Sequence, residues 1–161
     1  MTARIGVWVA AVSALVGGCV GSGEGNVLDR DCHITWLDDG VTMTATTGNA
    51  TWASTGGTDS VDMFGANRSG GLEIYTATPA PLVAQTYVCG QTMPGQSLLL
   101  TYKIGNPAGP AISSENCTVA FTQIGAIGGA HVTGTFEMVL DLPGGGSKTI
   151  TNGTFELPIS K

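Results

Sequence analysis

Two histidines and four cysteines are the residues here whose chemistry could be catalytic or metal-binding: His33 and His131, with Cys19, Cys32, Cys89 and Cys117. A zinc centre needs three or four converging ligands. Cys32 and His33 are neighbours on an extended stretch, so their side chains leave it on opposite faces. A serine or cysteine nucleophile needs a histidine base, and neither histidine stands in a recognisable nucleophile motif. No catalytic residue, metal ligand or cofactor is therefore assigned. Asp59, Asp62 and Asn67, in a glycine-rich stretch, and the pair Asp38-Asp39 offer oxygen ligands for calcium, but not with EF-hand spacing. Turn formation and solvation are the favoured roles for these residues. Trp36, Trp52 and Tyr75 could stack on sugars if exposed, although aromatics on strands more often fill a core.

The chain opens with Arg4 and an apolar run over 5–16, the pattern of a secretory signal. That run is well short of the roughly 20 residues a membrane-spanning helix needs. It ends in Val16-Gly17-Gly18-Cys19, which resembles the lipobox of bacterial lipoproteins: a branched apolar residue, two small residues and a cysteine. The resemblance implies that Cys19 accepts the lipid and becomes the first residue of the mature protein. It further implies an extracytoplasmic location in a bacterial envelope, with a membrane partner reached through the acyl anchor. Val20 stands where an aspartate would resemble an inner-membrane retention signal, which favours the outer membrane if the host has one. The glycine-rich segment after Cys19 has little to bury and reads as a flexible tether. The expected organisation is a signal over 1–18, an acylated cysteine and tether over 19–31, and a folded domain over 32–161.

Without Arg4, five basic residues face twelve acidic ones, a net charge of −7. The basic footprint of a nucleic-acid binder is absent. Acidity also disfavours docking to anionic lipid, so membrane attachment must come from the anchor. With Cys19 acylated, three cysteines remain in an oxidising compartment. Cys89 and Cys117 are the favoured bridge, since both lie at strand ends around the 98–104 strand and close a loop of moderate length. Cys32 with Cys89, or Cys32 with Cys117, are the alternatives.

These residues must be positioned by strands. Charged residues make up only 11% of the chain, glycine and threonine abound, and no helical period follows the signal. Val132, Phe136, Met138, Leu140 and Leu142 alternate with Thr133, Thr135, Glu137 and Asp141, as in a strand with one buried face. Further strands are expected over 32–37, 41–47, 72–78, 85–89, 98–104, 117–124 and 148–157. Asp38-Asp39-Gly40, Gly56-Gly57 and Pro143-Gly144-Gly145-Gly146 supply turns. The expectation is an all-β, antiparallel sandwich of about eight strands, ending in a long hairpin of 132–142 with 148–157.

Gly134-Thr135-Phe136-Glu137 recurs as Gly153-Thr154-Phe155-Glu156, but the residues before the second copy are out of phase. A bulge near Asn152-Gly153 would return Phe155, Leu157 and Ile159 to the buried face. Two copies are too few for a solenoid and read as paired strands. Together with Cys117-Thr118-Val119-Ala120-Phe121 and Gly128-Gly129, these segments resemble the C-terminal part of an uncharacterised family of small bacterial lipoproteins. That resemblance implies a β-sandwich and supplies no catalytic residue. The functional expectation is a non-catalytic envelope or surface module with a protein or carbohydrate ligand. The alternative is an extracytoplasmic hydrolase with a loop-borne site. Exposed aromatics or an uncovered edge strand would favour the first; a histidine and carboxylate within hydrogen-bond reach would favour the second.

Overall fold

A computed structural model describes residues 19–20, 33–90, 94–125 and 130–160. The expected signal, most of the tether, and Cys32 lie outside the described residues. The described residues form twelve strands and no helix: β1 (Cys19–Val20), β2 (His33–Asp38), β3 (Val41–Thr44), β4 (Thr47–Thr55), β5 (Thr58–Asn67), β6 (Gly70–Pro79), β7 (Thr86–Val88), β8 (Ser97–Ile104), β9 (Ile112–Ser114), β10 (Asn116–Ile124), β11 (His131–Asp141) and β12 (Ser147–Ser160). The all-β class is as expected. Four strands exceed the expected eight: β1, β4, β5 and β9.

One half of the molecule, called the front half, runs β4-β5-β6-β8-β9; the back half runs β7-β10-β11-β12-β2-β3. Every pairing within each half is antiparallel. The halves are joined because β12 outruns its partners, and Ile159 and Ser160 pair in parallel with Ala50 and Thr51 of β4. The strands thus form one curled, mixed sheet. The backbone of Cys19 and Val20 pairs with Gly48 and Thr47 of β4.

The 41–47 stretch, expected as one strand, breaks at Ala45 and Thr46. Ala45 N–H donates to Ile34 in the back half, and Thr46 N–H donates to Ala66 in the front half. The chain changes halves there. A single apolar core lies between the halves, with Val61, Met63, Leu72, Ile74 and Leu100 from the front and Ile34, Trp36, Val119, Phe136, Leu140 and Phe155 from the back.

The hairpin of β11 and β12 forms with the expected bulge. Phe136 pairs with Gly153 and Met138 with Ile150, so one residue of β11, Glu137, faces two of β12, Thr151 and Asn152. Asn152 takes a left-handed φ of 49° there, a conformation asparagine adopts more readily than most residues. The extra residue restores the phase, and Phe155, Leu157 and Ile159 are buried. Leu142, expected on the buried face, lies beyond the end of β11 and is only half-buried.

Candidate functional site

Cys89 follows β7 and Cys117 lies on β10, and the two are bridged with Cα atoms 5.0 Å apart. Cys89 N–H also donates to Cys117 O at 2.8 Å. The bridge closes a loop that carries β8 and β9 across to the front half.

The calcium grouping does not assemble. Asp59, Asp62 and Asn67 stand on β5, not in a loop. Alternation turns Asp59 inward, where its Oδ2 accepts Leu82 N–H at 3.1 Å, and turns Asp62 outward. Asn67 ends the strand, accepting Ser69 N–H and donating to Thr44 O. Trp36 is a core residue, Trp52 packs half-buried against the core, and Tyr75 lies half-buried on the outer face of β6.

Asp38 and Asp39 belong instead to a polar network joining the two halves. Tyr102 Oη on β8 donates to Asp38 Oδ2 at 2.9 Å and accepts from Trp36 Nε1 at 3.3 Å. Lys148 Nζ pairs with Asp38 and also with Asp39, the latter at 3.0 Å. Burial, reinforced by Asp38, pushes the Tyr102 hydroxyl up to about 12, although the hydrogen bond from Trp36 opposes the rise. Burial opposes the charge on Lys148, but hydrogen bonds to Asp38 and Asp39 outweigh it and hold its pKa above the ordinary lysine value. Asp39, bonded by Lys148 and by Thr149 N–H, is held below the ordinary aspartate value. The raised pKa keeps Tyr102 neutral at physiological pH, which suits a structural clasp.

Pairing of β11, β12 and β2 brings the two histidines to opposite sides of one carboxylate. His131 Nδ1 lies 3.5 Å from Glu156 Oε1, and His33 Nδ1 lies 3.9 Å from Glu156 Oε2. Because the rings meet different oxygens, the three groups flank one another without converging. Among the described residues no group of three such side chains is arranged to hold a metal ion. Glu156 could not be singled out beforehand, since it meets His33 only through the β12 to β2 register.

The outer face of the back half carries a trough where the bulge opens β12. Its main part, about 430 Å³, is lined by Thr118, Thr135, Phe136, Glu137, Asn152, Gly153 and Thr154. A second part of about 240 Å³ shares Thr118 and Glu137 and adds Thr149 and Thr151. The lining residues carry three hydroxyls, an amide and one carboxylate, the Thr154 hydroxyl being bonded to that of Thr35 at 2.8 Å, and Phe136 lies beneath them only 3% exposed. Such side chains can donate and accept hydrogen bonds.

No protein-family model, curated protein or solved structure matches the chain.

Proposed function

We propose that this chain is a lipid-anchored protein of the bacterial envelope, held at Cys19, whose β domain binds a hydroxyl-rich glycan in the trough at the β12 bulge. The trough carries the reading, because Thr118, Thr135, Thr154 and Asn152 line it together. Ligand sites commonly combine an apolar base with a few placed polar groups. Calorimetric titration of the full chain with a panel of neutral oligosaccharides tests the binding. Heat released by at least one glycan, and abolished in Thr135→Val/Thr154→Val, is expected. No heat from any of them would end the glycan assignment.

A second reading, an extracytoplasmic hydrolase, draws on the approach of His131 to Glu156. Under the binding reading, His33→Ala/His131→Ala complements a deletion strain as well as the wild type does. Failure of that variant, folded and acylated, would favour the hydrolase.

A further inference from the structure

The face of the molecule opposite the trough carries a different chemistry. On the outer side of β5 and β6, Asp62 stands opposite Tyr75 and Phe64 opposite Glu73, so two acids and two aromatics alternate in a square. Their neighbours Val61, Met63, Leu72 and Ile74 point the other way and are buried, which fixes the square as outward. Across β8, Tyr75 meets Leu99, an apolar side chain left 41% exposed.

The acids are incompletely compensated. Asp62 Oδ1 is shut off from solvent and, among the described residues, has no hydrogen-bond partner. Burial, and then the charge of Glu73, raise the Asp62 carboxyl above its ordinary pKa. Glu73 accepts a hydrogen bond from Thr101 at 3.4 Å. Among the described residues neither acid forms an ion pair. A half-buried carboxylate beside a second acid is short of positive charge, and a cation arriving at the exposed side of the pair would offset their repulsion.

We propose that this face docks a basic protein segment, whose lysine or arginine side chains seat against Asp62 and Glu73 between Phe64 and Tyr75. Ammonium and guanidinium groups are attracted both by carboxylates and by aromatic faces. The net −7 of the chain without its signal steers basic partners toward it. Leu99 extends the patch with an apolar contact for the stem of a long basic side chain.

The site is independent of the trough, and its test does not depend on the glycan. Fluorescein-labelled octalysine is titrated with the full chain in neutral detergent at low ionic strength, and anisotropy is read. The wild type is expected to bind, and Asp62→Asn/Glu73→Gln to bind about tenfold more weakly. The charge-matched control Glu115→Gln/Asp141→Asn, on exposed positions elsewhere, keeps wild-type affinity within about twofold. Circular dichroism melts verify that each variant is folded. Should the double variant be unfolded, Glu73→Gln alone decides by the same comparison with Glu115→Gln. Absence of wild-type binding, or equal weakening by the control, would overturn the proposal.

Discussion

Phe136 stands directly across from Gly153, and its ring fills the place of the missing side chain: a Cβ built on Gly153 would lie 2.5 Å from the ring. The relation is reciprocal, since Gly134 faces Phe155 and a Cβ there would meet that ring at 2.6 Å. The two Gly-Thr-Phe segments are thus antiparallel partners, each glycine making room for the other copy's phenylalanine. Phe155 continues the row, with Phe121 at 5.6 Å and Tyr87 beyond it at 5.7 Å from Phe121.

Gly153→Ala should therefore destabilise the fold by about 1–3 kcal/mol through overpacking. In the Phe136→Leu background its cost should be smaller, because the ring that it strikes is gone. Urea denaturation of the four proteins in this double-mutant cycle measures the coupling, and additive effects would show that the ring and the glycine are not partners. Phe136→Asp should prevent folding, whereas Glu137→Ala, on the exposed face of the same strand, should melt as the wild type does.

Removing the Cys89 to Cys117 bridge should lower stability by about 3–4 kcal/mol, as expected when a link of 28 residues' separation no longer restricts the unfolded chain. Urea midpoints of Cys89→Ala/Cys117→Ala against the wild type check this. A peptide map under non-reducing conditions should contain the 89–117 pair; Cys32 in the only bridge would contradict it.

The Tyr102 clasp predicts a loss of stability in alkali. Its pKa is raised from 10 to about 12, so the folded state favours the neutral phenol. That contribution, at most about 3 kcal/mol, is complete below pH 10 and is lost as the pH rises through 12. The raised pKa of Lys148 acts in the same direction. Ultraviolet absorbance should show a tyrosinate step near 12 that is missing from Tyr102→Phe, and the wild type should lose more stability than this variant above pH 10. An unchanged titration curve in the variant would disprove the assignment.

The parts legible in the sequence were those written in local period. The alternation of β11 identifies its buried face, and the phase slip between Ile150 and Phe155 locates the bulge at Asn152. β5 was hidden because its inward positions include Asp59 and Gly65, which break the apolar alternation while the tertiary structure satisfies Asp59 through Leu82 N–H. β9 has only three residues, too few for a period. The polar groupings were the least legible: Asp38 meets Tyr102 across 64 residues of sequence, and Glu156 meets His33 through strand register alone. Such juxtapositions are set by non-local pairing and leave no mark in any short window.

The proposed anchor at Cys19 is open to mass spectrometry of the N-terminal peptide from the membrane fraction. A peptide beginning at Cys19 and carrying acyl chains on that cysteine is expected. An unmodified N-terminus, or one cut at another residue, would contradict it.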